Sequence, residues 1–276
     1  MRVQVLIAVA LLGGCRGSSA GPARAGPRVV SLHDVTTEMV VALEATDQLV
    51  GIAEPVDATP EVVRAVAGVP RVGGLESIIP LRPNVVLGLG VVAERDPELV
   101  RRLREVGIDV YLADPATLED VYALTRAVAE RVGAASASEK LVAGLRSRAR
   151  VNGTPRTGRV RVFVYDCCDP PFTAGGKTVL NDLIAQAGGQ NIFADLDTDW
   201  THVSWEEVVD RRPELVVIHA YRYDGQGDVP DKRRALRAIP SLGDLPVTVL
   251  PLGCSLGGLR STEGLERLSQ AFREHT

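Results

Sequence analysis

Short apolar runs alternate with stretches of helical spacing from residue 28 almost to the end of the chain. Residues 28–32 (RVVSL) read as a strand. Residues 36–45 (TTEMVVALEA) read as a helix opened by a threonine cap, with Glu38 in its first turn. Residues 49–53, 83–90 and 108–114 continue the series as strands, and 97–107 as a helix. Strands of Val, Ile and Leu separated by helices of about ten residues predict βαβ units and a mostly parallel sheet covered on both faces. The fold class is therefore α/β.

The alternation stops between residues 117 and 149, where apolar residues fall at 118, 121, 124, 128 and 132. That is near helical spacing, and it predicts one long helix, with Gly133 the position at which it would bend. The rhythm then resumes. Residues 159–165, 214–220 and 247–252 read as strands, and 178–189, the segment around Lys232 to Ala238, and 262–275 read as helices.

A repeat lies inside this pattern. LESIIPLRPNVVLGL and WEEVVDRRPELVVIH each carry a glutamate six residues before Arg-Pro and then an apolar strand. Glu76, Arg82 and Pro83 correspond to Glu206, Arg212 and Pro213 at a constant offset of 130. Helix-turn-strand joints favour such residues anyway, yet a matched pair on either side of a long helix predicts two similar α/β lobes.

With 276 residues the chain has room for two domains. Its net charge of -4 offers no basic surface, which removes nucleic acid as a partner. The N-terminus, MRVQVLIAVALLGGC, has an apolar run from Val3 to Leu12 that is too short to span a bilayer and reads as a signal-peptide core. Leu12-Gly13-Gly14-Cys15 resembles a bacterial lipobox, which implies lipidation of Cys15 and an anchored protein on the periplasmic or cell-surface face of the membrane. The expected division is a leader over 1–15, a flexible Gly/Pro/Ser/Ala tether over 16–27, an N-terminal lobe over 28–115, a linking helix over 116–150 and a C-terminal lobe over 151–276. With Cys15 lipidated, three cysteines remain, so at least one thiol is left outside any disulfide within the chain.

Several motifs in one order resemble the helical-backbone substrate-binding proteins of ABC importers for cobalamin and iron siderophores. The residues that carry the resemblance are RVVSLHDVTTEMVVALEATDQLVGI, GLESIIPLRPNVVL, DPPFTAGGKTVLNDLIAQAGGQNIFAD and DWTHVSWEEVVDRRPELVVI. The resemblance implies the class III periplasmic-binding-protein fold, two Rossmann-like lobes joined by a single long backbone helix, in a monomer. It also implies a permease dimer with its ATPase as partner, a metal chelate as cargo rather than a resident cofactor, and no catalysis. The joint glutamates that dock on permease arginines in that family fall here on Glu76 and Glu206, with Glu207 the competitor for the second position. A carboxylate in a first helical turn is favoured by the helix dipole in any case.

In that plan the ligand lies between the lobes, against loops that follow the strand carboxyl ends. The candidate ligand-binding residues on those loops are His33, Asp34, Cys167, Cys168, Lys177, Trp200, His202, Tyr221, Cys254 and Arg260. Trp200 and Tyr221 offer flat apolar faces, and Lys177 and Arg260 would meet carboxylate or phosphate groups. His219 ends an apolar strand and reads as structural.

Three chemistries compete for the cysteines. A Cys nucleophile would need His33 or His202 as base, but no Gly-x-Ser-x-Gly, Cys-x-x-Cys or His-Glu-x-x-His pattern accompanies it, so an enzyme is not expected. His33, Cys167, Cys168, His202 and Cys254 have the softness to hold a bare thiophilic ion, the alternative to a chelate. A disulfide from Cys254 to Cys167 or Cys168 would tie two loops of one lobe, and a bond between the two neighbours is ranked below it. The reading favoured is a receptor for a corrinoid or ferric siderophore.

Overall fold

The computed structural model describes residues 26–152, 159–221 and 227–275, so the leader and its Cys15 lie outside the described residues. In the N-terminal lobe, β1 (Val29–Ser31), α1 (Asp34–Ala42), β2 (Leu49–Ile52), α2 (Pro60–Ala65) and α3 (Leu75–Ile78) are followed by β3 (Val85–Leu89), α4 (Val91–Arg95), α5 (Pro97–Glu105) and β4 (Asp109–Ala113). Two helices, α6 (Leu118–Arg131) and α7 (Ala135–Asn152), lead to the C-terminal lobe. That lobe runs β5 (Val160–Tyr165), β6 (Phe172–Ala174), α8 (Val179–Gln186), β7 (Gly189–Asn191), β8 (Trp200–His202), α9 (Trp205–Asp210), β9 (Leu215–Ala220), α10 (Val229–Arg237), β10 (Val247–Pro251) and α11 (Ser261–Glu274). Among the described residues no helix is long and apolar enough to cross a membrane.

Each lobe holds a four-stranded parallel sheet, ordered β2-β1-β3-β4 and β10-β9-β5-β7. The two-lobed α/β architecture expected from the sequence is thus what the chain adopts. Alternation along the strands builds the cores. Val29, Val85 and Leu87 share one apolar cluster with Val162, Val164, Leu215 and Val217 of the other sheet, together with Leu124, Val128, Val142 and Leu145 of the linking helices. The opposite faces close separately, with Val30, Val86 and Val110 in one lobe and Phe163, Val216 and Ile218 in the other. The helices therefore join the lobes through one continuous core.

The segment 116–150 departs from the expected single helix. Thr117 caps α6 by accepting from the Asp120 N–H, while the Asp120 carboxylate accepts from the Thr117 N–H. The helix stops at Gly133, whose φ of +68° is left-handed, and the Gly133 and Ala134 N–H groups bond back to Glu130 and Ala129. After that turn α7 runs back along α6. Arg126 pairs with Glu139 at 2.7 Å and Arg146 with Glu119 at 2.5 Å. In a straight helix residues 119 and 146 would stand about 40 Å apart. The apolar spacing over 118–132 matches α6, but Gly133, expected as a bend, is the cap that ends that helix.

Three further strands, β6, β7 and β8, were not expected. Residues 178–189 were read as one helix, but α8 ends at Gln186 and Gly189 opens β7. The antiparallel pair β6 and β8 forms a small ribbon above the carboxyl ends of the second sheet.

Candidate functional site

The lobes meet through loops that leave the carboxyl ends of their strands. Asp57, beyond β2, accepts from the Gly253 N–H beyond β10 at 2.5 Å and from Arg260 Nη1 at 3.1 Å. Arg260 Nη1 also donates to the Asp57 carbonyl at 2.8 Å and stands 3.8 Å from Glu38 Oε1. Nearby, a Cβ on Gly257 or Gly258 would press on Pro115 or Val35. The boundary between the lobes is therefore a carboxyl-end surface on both sides.

On the N-terminal side, His33 and Asp34 sit where β1 turns into α1. His33 caps the helix, its Nδ1 accepting from the Val35 N–H at 3.2 Å. Burial lowers its affinity for a proton and Arg95 adds to that, against the opposing pull of Asp34. Asp34 accepts from the Val56 and Asp57 N–H groups at 2.9 and 2.8 Å, which fixes the loop that carries Asp57.

The C-terminal side is richer. Strands β5 and β9 are neighbours, so their ends place Asp166 beside His219 and Tyr221. His219, fully buried, has Nδ1 2.8 Å from Asp166 Oδ1, and Tyr221 donates its hydroxyl to Asp166 Oδ2. Burial alone would raise the Asp166 carboxyl, but the bonds from His219 and Tyr221 and the charge of Lys232 outweigh it and hold it below the usual range. Burial, and then the bond to Asp166, push the Tyr221 phenol up. Lys232, buried on α10, donates to the His219 carbonyl at 2.6 Å, pairs with Asp228 at 2.6 Å and lies 4.6 Å from the centre of the Tyr221 ring.

Above this cluster the β6/β8 ribbon carries an aromatic layer. Phe172 and Trp200 stack with centroids 6.0 Å apart, His202 lies 4.9 Å from Phe172, and Trp200 lies 5.4 Å from His219. Trp200 and His202 share a face because they are two apart on one strand. The ribbon is held by glycines at a close approach: a Cβ on Gly175 would lie 2.3 Å from the Thr198 carbonyl oxygen, and one on Gly176 2.4 Å from that of Ala194. Buried Asn191 ties in the ribbon, donating to the Ala174 carbonyl at 2.9 Å and accepting from the Phe193 N–H at 3.1 Å. The glycine turn and the Gly-Gly-Gln-Asn-Ile-Phe segment are thus scaffold for the aromatic face.

The cysteines resolve differently from the expectation. Cys167 and Cys168 are bonded to each other, with Cα atoms 3.7 Å apart, and Cys254 is a free thiol. The bonded pair lies at the edge of the ribbon. The Phe172 N–H donates to the Cys167 carbonyl at 2.8 Å, and the Tyr165 hydroxyl donates to the Cys168 carbonyl at 3.1 Å. Cys254 is buried under α11, and that burial pushes its thiol up to about 12, so it ligates nothing at the boundary. The bare-ion set of His33, Cys167, Cys168, His202 and Cys254 is not assembled. Two of its sulfurs are bonded to each other, a third is in the core, and His202 Nδ1 is engaged 3.0 Å from the Pro170 carbonyl. Among the described residues no group of three or more His, Cys, Asp or Glu is arranged to hold a metal.

Of the candidate ligand-binding residues, Cys167, Cys168, Trp200, His202 and Tyr221 come together on the C-terminal wall, with His33 and Asp34 on the N-terminal carboxyl-end surface. Arg260 is instead the buried tie between the lobes, and Lys177 is paired with Asp197 at 2.9 Å on the glycine turn. Asp166, Phe172 and Lys232 were not singled out in the sequence, and His219 was read as structural. The signal for Asp166 was its place directly after an apolar strand, and Phe172 stood inside a quoted motif. Lys232 looked like any solvated helical lysine.

At the two joints, Glu76 and Glu206 are exposed in the first turns of α3 and α9, and neither makes a hydrogen bond or ion pair with any described residue. Glu207 is taken up in a capping box, with its carboxylate 3.2 Å from the Ser204 nitrogen.

The family model described as "Periplasmic binding protein" matches residues 29–234. A Vitamin B12-binding protein of Yersinia pestis (strain Pestoides F) is 30% identical over 206 residues, covering 71% of each chain. Among solved structures, a periplasmic binding protein from Veillonella parvula superposes with a TM-score of 0.80 at 22% identity, covering 91% of this chain and 93% of that one. The periplasmic heme-binding protein RhuT from Roseiflexus sp. RS-1 gives 0.74 at 24% identity, covering 91% and 99%. The periplasmic Vitamin B12-binding protein BtuF of Vibrio cholerae gives 0.67 at 21% identity, covering 90% and 97%.

Proposed function

The chain belongs to the periplasmic binding protein family, and on that premise we propose that it captures a metal macrocycle of the corrinoid type between its lobes and hands it to an ABC permease. Family membership makes it a binding protein rather than an enzyme. The observation that carries the ligand class is the stacked Phe172–Trp200 face with His202 beside it, on the carboxyl-end wall of the C-terminal lobe. Such a face buries the flat apolar body of a macrocycle, while a few polar groups fix its orientation. The Vitamin B12-binding relatives support the same class.

Delivery rests on Glu76 and Glu206, two exposed carboxylates with no partner among the described residues, which suit a basic permease surface. Anchoring through a lipid on Cys15 is part of the same reading and follows from the leader sequence.

Native mass spectrometry of the purified protein, incubated with a panel of corrinoids, ferric siderophores, heme and metal salts, tests the proposal. A one-to-one complex with a corrinoid is the expected result. Retention of a siderophore or a bare ion in its place overturns the ligand class.

A further inference from the structure

Cys167 and Cys168 stand at one end of a row that the fold sets across the β6/β8 ribbon. Cys167 pairs over an antiparallel bridge with Phe172, and Phe172 pairs in turn with His202. The turn from Cys167 to Phe172 is fastened at successive points. The Cys167 carbonyl accepts from the Phe172 N–H at 2.8 Å, the Cys168 carbonyl from the Tyr165 hydroxyl at 3.1 Å, and the Asp169 carboxylate from Trp205 Nε1 at 3.1 Å. The two prolines that follow serve β8. The Pro171 carbonyl accepts from the Val203 N–H at 3.0 Å, and the Pro170 carbonyl lies 3.0 Å from His202 Nδ1. A carbonyl only accepts, so Nδ1 carries the proton and Nε2 of the neutral ring is left as an acceptor. His202 is exposed, and an acceptor held in one orientation suits an amide N–H on the rim of a bound macrocycle.

The disulfide controls the backbone at the head of this turn. Cys168 has a φ of +77°, a left-handed conformation that a non-glycine residue keeps only where its surroundings impose it. The constraints here are the Tyr165 hydroxyl and the bond to Cys167. That bond is open to chemistry, because Cys168 is exposed and Cys167 half-buried. Cys254, already a free thiol in the core, has no part in it.

We propose that the Cys167–Cys168 disulfide is a redox-sensitive positioning element of the cargo-binding face, which fixes His202 through the Pro170 carbonyl and loosens its hold on the cargo when reduced. The inference rests on the macrocycle reading above and adds a control to it. The reductant is a dithiol. One of its thiolates attacks a sulfur of the pair, the bond between Cys167 and Cys168 breaks, and a mixed disulfide forms. The second thiol of the reductant then displaces the protein sulfur. The dithiol is oxidised to its own disulfide, and the protein takes up two electrons and two protons to give two thiols. Without the bond Cys168 leaves the left-handed region and the Pro170 carbonyl shifts. His202 must then be ordered as cargo binds, which lowers affinity.

The test uses the full chain carrying Cys15→Ser in three states: oxidised, reduced with dithiothreitol that is then removed under nitrogen, and reoxidised with diamide. Calorimetry measures affinity for cyanocobalamin and dicyanocobinamide. Ring-nitrogen shifts of 15N-histidine-labelled protein without cargo, at pH 8, report the tautomer of His202, whose signal is identified by its loss in His202→Gln. The oxidised protein should show the Nδ1–H tautomer. Reduction should convert it to a tautomer average and weaken corrinoid binding about tenfold, and reoxidation should restore both. Replacing the pair by Cys167→Ser and Cys168→Ser should give the reduced behaviour in all three states. If that variant does not fold, the reversible cycle of the unsubstituted pair carries the test. Equal affinity in the two redox states, or a His202 signal unmoved by reduction, overturns the proposal. If the oxidised protein binds neither corrinoid the macrocycle reading fails, and the His202 signal alone then decides whether the disulfide positions the ring.

Discussion

Arg82 and Arg212, 130 residues apart, hold the same left-handed backbone, with φ of +47° and +50°. Each carbonyl accepts from the guanidinium of an arginine at the start of its sheet, Arg28 Nε at 3.1 Å and Arg161 Nε at 2.7 Å. The correspondence extends two residues further, where Asn84 and Glu214 accept from the Arg28 and Arg161 N–H groups at 2.9 and 2.8 Å. The lobes therefore repeat a joint down to its hydrogen bonds. Arg28→Ala and Arg161→Ala should each destabilise the fold by about 1 kcal/mol and add within about 0.5 kcal/mol, because the sites share no partner. Urea unfolding of the two single variants and the double variant checks this, and strong non-additivity would contradict it.

The shared core makes a second expectation. Leu145 is buried in the cluster that joins both sheets to the helical hairpin. Leu145→Ala should cost about 2–5 kcal/mol. It should lower the midpoint of both lobes together in one calorimetric transition. Two separated transitions would show that the hairpin does not couple the lobes.

The parts of this architecture that were legible in the sequence are those written by periodicity. Runs such as Val162 to Val164 and Leu215 to Ile218 are apolar on both faces because both faces are buried. The break at Gly133 was not legible as a chain reversal, since the apolar spacing continues on either side and only the positive φ and the pairing of Arg126 with Glu139 reveal it. Strands of three residues such as Gly189–Asn191 carry too little pattern to show. Site residues followed the same rule. Trp200 and His202 stand out by type, whereas the role of Arg260 is set by Asp57 and Glu38, more than two hundred residues away in sequence, which pattern alone does not bring to it. Cys254 misled for the same reason, because burial and not residue type decides whether a thiol is available.

Glu38 gives the boundary between the lobes a pH dependence. Burial raises its carboxyl to about 7, against the attraction of Arg260, with Asp34, Asp57 and Glu263 adding to the rise. A folded-state value above the unfolded one means that the group's contribution is full below about 4.5 and is lost as pH climbs through 7. The wild-type protein should therefore lose on the order of 2–3 kcal/mol relative to Glu38→Gln between pH 5 and pH 8. Urea midpoints of both proteins at the two pH values measure the difference. Parallel behaviour of the pair would remove Glu38 as the source.

Thiol accounting tests the disulfide assignment. In a Cys15→Ser background, the native oxidised protein should not react with a thiol reagent at pH 8, because Cys254 is buried and its thiol is pushed up to about 12. Unfolded without reductant it should expose one thiol, since one described cysteine is free and two are bonded. A mass shift for three thiols before reduction would rule out the Cys167–Cys168 bond.

The exposed carboxylates of the joints make the final expectation, one about rate. A pair of like charges meeting a basic surface accelerates encounter and fixes register, and contributes less to the final affinity. Glu76→Lys and Glu206→Lys should each slow association with the cognate permease about tenfold at low ionic strength, and the difference should shrink as salt screens it. Glu207→Lys acts elsewhere. It removes the carboxylate that caps α9 and should cost about 1 kcal/mol of stability with little change in association rate. Surface plasmon resonance against the permease in nanodiscs, with unfolding curves for the same variants, separates the two effects. If Glu207→Lys slows association and Glu206→Lys does not, the docking carboxylate of the second joint is one residue further along than assigned.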